Sequence, residues 1–228
     1  MCYNGGMDSE VSDILAAARE LKMPLATLRQ LALMLGEMST DNERIRAEMV
    51  GVSERAIQQV NDLMRLSKLE DGLFEMEPVG VRAVCGEVTR EIAELFNKGE
   101  LMVEYRNRTS VVTANYELLA SVVRGFLANA AASASDKVRL TVRDAGGKVE
   151  IAVRDRGPAL PMEVWREIRK GRGAAQGPVA MRPGASRLAL YTASRFSRYM
   201  HAEVGAVRHR DGTSFYVRLP RSEQRSFF

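Results

Sequence analysis

Residues 115–131 read NYELLASVVRGFLANAA, and the fold turns on this stretch. Asn115 is a capping residue type, and Leu119, Val122, Val123, Phe126, Leu127 and Ala130 recur at helical intervals behind it. The pattern predicts a long helix reaching about Ser133 that buries a wide apolar side. Its partner follows downstream. Residues 137–143 and 148–153 are β-type runs around Asp144-Ala145-Gly146-Gly147, a hairpin signal. Residues 171–186, rich in Gly, Ala and Pro with little periodicity, predict a mobile loop. A helix from about Ser186 to Met200 and strands at 203–208 and 214–219 close the unit. Upstream lie a helix over about 81–96 and strand-like segments at 101–106 and 110–113. This order predicts helices on one face of a mixed sheet, an α/β sandwich over residues 81–220.

The N-terminal part reads differently. From Asp8 or Ser9 to about Gly36, Val11, Ile14, Ala18, Leu21, Leu25, Leu28, Ala32 and Leu35 alternate by three and four, a heptad seam. Pro24 within it predicts a local bend. Thr40-Asp41-Asn42-Glu43 has capping-box spacing and restarts a helix to about Leu69. Ile45, Met49, Val52, Ala56, Val60, Leu63 and Leu66 form its stripe, widened by Ile57 and Met64. A short connection implies an antiparallel hairpin over 9–71. Two helices bury too little alone, so the expectation is a dimeric four-helix bundle. The alternative is a hairpin that packs back on its own second domain. Residues 1–8 and 221–228 are expected to be tails and 72–80, containing Pro78, an extended linker.

Composition narrows the function classes. Residues 1–80 hold 8 Lys/Arg against 14 Asp/Glu, whereas the remaining 148 residues hold 25 against 15. The basic second part could draw anions, but no aromatic-basic stripe emerges, which argues against nucleic acid. No stretch approaches the roughly 20 apolar residues of a membrane span, and no signal peptide is apparent, so the expected location is the cytoplasm. Cys2 and Cys85 form neither a disulfide framework nor a metal-ligand spacing. Cys85, on the apolar side of a predicted helix, is expected to be a buried structural thiol.

Candidate chemistry gathers in the second part. Asn129 lies in the long helix among small residues, and Asp155-Arg156-Gly157-Pro158 follows directly on a strand. Gly184-Ala185-Ser186 opens a helix, and Gly212-Thr213 precedes the last strand. Together they outline a pocket with an amide, a carboxylate and loops, a place for a nucleotide.

These segments carry a resemblance. The chain resembles the core of a bacterial sensor histidine kinase over about residues 10–220: a dimerisation and phosphoacceptor hairpin, then an ATP-binding domain of the GHKL (Bergerat) class. The similar stretches are LMRLSKLEDGLFEMEPVGV at 63–81, NYELLASVVRGFLANAA at 115–131, VRDRG at 153–157, LALYTASRFSRYMHAEVG at 188–205 and DGTSF at 211–215. The resemblance implies an α+β chain in which Asn129 helps hold magnesium. It further implies that Asp155 accepts from the adenine amino group, with Gly157, Arg187 and Thr213 nearby.

The departures are chemical. The family's phosphoacceptor motif falls on RELKMPL at 19–25, with Arg19 where the histidine stands. A guanidinium stays protonated with its lone pair delocalised, so it cannot accept a phosphoryl group as imidazole does. His201 and His209 both lie in the second domain. Met23 falls where a polar residue often orients a hydrolytic water, and a thioether does this poorly. Gly125 replaces a motif asparagine, Ala132 a common lysine and Ala159 a glycine. The phosphate-wrapping loop falls on Ala185-Ser186-Arg187-Leu188-Ala189-Leu190 without its usual glycines, which permit close backbone approach. Arg187 there is an obstruction, a phosphate clamp or merely an exposed first-turn residue.

The expectation is therefore a degenerate histidine-kinase-like homodimer with no catalytic residue. It would bind a response-regulator receiver domain, or another phosphorelay protein, around Arg19, Glu20 and Met23. No cofactor is expected, with ATP and magnesium binding weakly at best. The alternatives are an ATP-binding kinase or phosphotransfer relative acting on a paired intact chain, and a dimeric scaffold with a non-nucleotide ligand in the pocket.

Overall fold

Asn115 caps the central helix through its Oδ1, which accepts from the Leu118 N–H at 3.2 Å. The computed structural model describes residues 21–22, 24–35, 42–69, 71–93, 101–106, 111–134, 137–169 and 186–222. The expected tail at 1–8, Cys2, Arg19, Glu20, Met23, the loop at 171–185 and residues 223–228 lie outside them. In chain order the elements are α1 (24–34), α2 (Asn42–Leu69), β1 (Glu77–Gly80), α3 (Val81–Glu91), β2 (Leu101–Tyr105) and β3 (Val111–Ala114). They continue with α4 (Tyr116–Ala131), β4 (Val138–Ala145), β5 (Lys148–Asp155), α5 (Met162–Arg169), α6 (Arg187–Tyr199), β6 (Glu203–His209) and β7 (Gly212–Pro220).

Five strands form a mixed sheet in the order β2-β4-β5-β7-β6, parallel between β2 and β4 and antiparallel elsewhere. Gly146 and Gly147, at φ 57° and 80°, make the two-residue turn between β4 and β5, which only glycine-like residues enter at low cost. One sheet face is apolar: Leu140 and Val142, Val149, Ile151 and Val153, and Phe215, Val217 and Leu219 are buried. Helix α4 fills the space above it, with Leu118, Leu119, Val122, Val123, Phe126 and Leu127 fully buried. Phe126 stacks on Phe215 with centroids 5.5 Å apart, and Trp165 of α5 meets the same ring edge-on at 6.2 Å. Truncating Phe126 to alanine should cost about 3–5 kcal/mol. Cys85 is buried in this core, which pushes its thiol up to about 12 and leaves it unreactive.

The segment expected as linker is extended, and its last four residues are a strand. β1 pairs antiparallel with β3, Val79 opposite Val112. Beyond β7, the Ser222 N–H donates to the Val111 carbonyl at 3.0 Å.

In the hairpin, Leu31, Ile45 and Val52 form a small core, with Leu28, Leu35 and Met49 against it. The α1 seam is partitioned differently from expectation: Leu31 turns inward, whereas Leu25 is 61% exposed. α2 likewise carries two stripes. The second, Val50, Ile57, Val60 and Met64, is exposed and follows seven, three and four residue steps. Near its C-terminal end α2 also packs on the second domain, where Leu63 and Leu66 meet Leu188 and Tyr191 of α6. Arg65 bridges Glu117 of α4 at 3.3 Å and Asp62 at 3.4 Å. No described helix is long and apolar enough to cross a membrane.

Candidate functional site

The site begins where β5 ends. Asp155 and Thr213 are Cα partners across β5 and β7, and both are fully buried. Thr213 Oγ1 accepts from the Leu160 N–H at 3.0 Å, which ties the segment after β5 to the sheet. Two glycines make this crossing possible. A Cβ on Gly157 would lie 2.0 Å from the Ser133 carbonyl oxygen, so the chain passes directly over the end of α4. A Cβ on Gly212 would lie 2.1 Å from the Asp155 carbonyl oxygen, and its φ of 154° is itself one that side chains rarely adopt. Asp155, Gly157 and Thr213 are thus brought together at the last turn of α4.

Asn129 sits one helical turn before Ser133 and is 2% exposed. Its Oδ1 accepts from the Ser186 N–H at 2.7 Å, and its Nδ2 donates to the Ser186 carbonyl at 3.4 Å. Ser186 is in turn the N-cap of α6, its Oγ accepting from the Ala189 N–H at 3.0 Å. This pairing across 57 residues joins the N-terminus of α6 to α4. The next residue, Arg187, is 8% exposed. That corrects the reading of it as an exposed first-turn side chain.

Gly125 lies one turn earlier on α4. A Cβ there would stand 3.4 Å from the Ala189 carbonyl oxygen and 3.6 Å from the Ala189 Cβ, ordinary van der Waals contact, so α6 lies alongside α4 at this point. Both polar atoms of the Asn129 amide are thus engaged by the Ser186 backbone, and α6 packs against α4.

His201 follows α6 at the end opposite Ser186, roughly 20 Å away along the helix axis. It lines a groove of about 380 Å³ with Phe74, Met76, Arg198 and Tyr199, where the Tyr199 hydroxyl donates to the Phe74 carbonyl at 3.2 Å. His209 Nε2 is 2.8 Å from Ser214 Oγ on the sheet. Sequence reading missed the part played by Ser186. Its type signalled a helix start, and nothing local indicated that a distant amide would hold its backbone.

Comparison with known proteins agrees with this architecture. Residues 114–223 match the family described as histidine kinase-, DNA gyrase B-, and HSP90-like ATPase. No curated protein matches the sequence. Among solved structures, the histidine kinase AdeS of Acinetobacter baumannii aligns with a TM-score of 0.62 at 17% identity, covering 90% of this chain and 98% of that one. Full-length ShkA, solved in complex with AMPPNP, aligns at 0.59 and 16% identity over 92% of this chain and 45% of its own. The mycobacterial sensor histidine kinase MprB aligns at 0.52 and 18% identity, over 65% and 99%. Residues 114–223 therefore belong to the histidine kinase-, DNA gyrase B-, and HSP90-like ATPase family, and the chain has the fold of a sensor histidine kinase core.

Proposed function

We propose that this protein is a two-component signalling protein that works by binding. It dimerises through its hairpin and holds the receiver domain of a response regulator, or another phosphorelay protein, without donating phosphate. The observation that carries this reading is Arg19 at the phosphoacceptor position of RELKMPL, since a guanidinium offers no nucleophilic nitrogen at neutral pH. The engagement of Asn129 by Ser186 supports it from the nucleotide side. The exposed stripe of Val50, Ile57, Val60 and Met64 supports the dimer, because a helix face this apolar needs cover. Incubation with labelled ATP and magnesium should give no acid-labile, base-stable label on this chain. A receiver domain from the native organism should bind in calorimetric titration, and charge reversal at Arg19 or Glu20 should change its affinity. An acid-labile label, or no binding by any native receiver, would overturn the reading.

The juxtaposition of Asp155, Gly157 and Thr213 favours one second reading. In it the domain retains ATP and phosphorylates a histidine on a paired, intact chain. Label appearing on such a partner, and only when this chain is present, would select it.

A further inference from the structure

We propose that the outer face of the five-stranded sheet, the one turned away from α4 and α6, is a docking surface for an acidic segment of a partner protein. Strand alternation puts Thr141, Ala152, Ser214, Tyr216 and Gly205 on this face, between the buried residues that point to the helices. The middle of the face is thus floored by small side chains, the exposed Val207 opposite Ser214, and a single tyrosine ring. Tyr216 lies across Gly205, where a Cβ would stand 2.2 Å from the ring. The Arg218 guanidinium sits 4.4 Å from the centroid of that ring.

Around this floor the charge is cationic and already ordered. Glu150 points outward yet is only 2% exposed, covered by Arg143 at 2.6 Å and Arg218 at 2.7 Å. Arg218 also reaches Glu203 at 3.0 Å, so one chain of ion pairs crosses four strands and fixes both guanidiniums before any partner arrives. Fixed arginines beside a tyrosine are the composition of binding hot spots, because little side-chain entropy remains to be lost. A second row is less balanced. Arg139 and Arg154 are directly opposite Cα partners, an unfavourable like-charge pair. Each leans to a carboxylate at the margin, Arg139 to Glu104 at 3.4 Å and Arg154 to Asp211 at 2.7 Å. Between them a negative group from outside would relieve the repulsion. Lys137 and Arg156 extend the same row at its end, and Arg156 shares Asp211.

Carboxylate is the chemistry these guanidiniums already recognise, and fork-shaped donors can accept a second carboxylate edge. A single aromatic ring is too little for stacking successive bases, so a protein is favoured over nucleic acid. The surface is independent of the reading of Arg19 and of the nucleotide site.

The test uses the full chain and fluorescent poly-L-glutamate of about 20 residues as probe, followed by anisotropy and by hydrogen-exchange footprinting. Poly-L-glutamate should bind, protect β4 to β7, and bind at least tenfold more weakly to the double variant Arg139→Glu/Arg154→Glu. Arg154→Gln should give an intermediate loss, and it keeps the test open if the double variant fails to fold. Arg46→Glu/Arg55→Glu, an equal step in net charge on the hairpin, should change affinity less than twofold. Absent binding, equal loss in the hairpin control, protection elsewhere, or tighter binding of an oligothymidylate of the same charge would each overturn the proposal.

Discussion

His201 adopts φ 53°, just past the C-terminus of α6, in the left-handed region that glycine enters freely and other residues enter at a cost of about 1 kcal/mol. The helix stop is nevertheless well made, with the Ala202 N–H donating to the Ser197 carbonyl at 2.8 Å. His201→Gly should therefore raise stability by about 0.5–1 kcal/mol, read as a small rise in thermal midpoint. Gly157→Ala should act oppositely. Its new methyl would meet the Ser133 carbonyl oxygen, rigid backbone that cannot step aside, and a loss of about 1–3 kcal/mol in urea unfolding is expected. Glu150 adds a pH dependence. Burial opposes its ionisation, but hydrogen bonds from Arg143 and Arg218 outweigh that and hold its carboxyl below the ordinary range. A folded value below the unfolded one means that the carboxylate's contribution is complete above the unfolded value of about 4.3 and is lost as pH falls through the folded one. Glu150→Gln should flatten the acid limb of the stability curve, with little change in its shape above pH 6.

At the scale of elements, α6 is a bar held at three places. Ser186 is bound by Asn129 at its start, Leu188 and Tyr191 lie against Leu63 and Leu66 of α2, and Tyr199 holds the Phe74 carbonyl at its end. The hairpin and α4, through Asn129, thus press on the same element. Leu63→Ser/Leu66→Ser should loosen the start of α6, faster hydrogen exchange at the Ser186 and Ala189 amides being the readout. Unchanged exchange in a folded variant would show that the two contacts are uncoupled. Which of these features could be read in advance follows from their range. Asn115 and Ser186 declare themselves as caps, and Gly146-Gly147 as a turn, because each acts within four residues. The grouping of Asp155, Gly157 and Thr213 was legible through motif order. The eight-residue α5 was missed, since so short a segment shows hardly two turns of periodicity, and only Trp165 meeting Phe215 explains why it forms. The pairing of β1 with β3 and the hold of Asn129 on Ser186 are non-local bonds, which leave no local pattern. On α1 and α2, a three-four alternation told that faces were buried, but two adjacent stripes left open which one met the other helix.

At the scale of the molecule, the two domains meet through a junction whose charges are partly buried. Burial raises the Asp62 carboxyl above its ordinary range while the Arg65 and Arg124 charges oppose the rise. That junction fixes one end of α2 and leaves the stripe of Val50, Ile57, Val60 and Met64 uncovered. A second copy brought against that stripe would complete four helices, held chiefly by apolar burial at about 25 cal/mol per Å². Ile57 is 58% exposed and Val60 42%, so charged replacements there disturb the isolated chain little. Ile57→Asp/Val60→Asp should give a folded monomer by light scattering, with helix content and thermal midpoint of the ATPase-like domain retained. Leu31→Asp, placed in the hairpin's own core at 7% exposure, should instead unfold the hairpin. The contrast between the two variants separates association from folding. A dimer that survives Ile57→Asp/Val60→Asp would put the interface elsewhere, and receiver binding measured on the same variant then tells whether docking needs the paired hairpin or one helix pair alone.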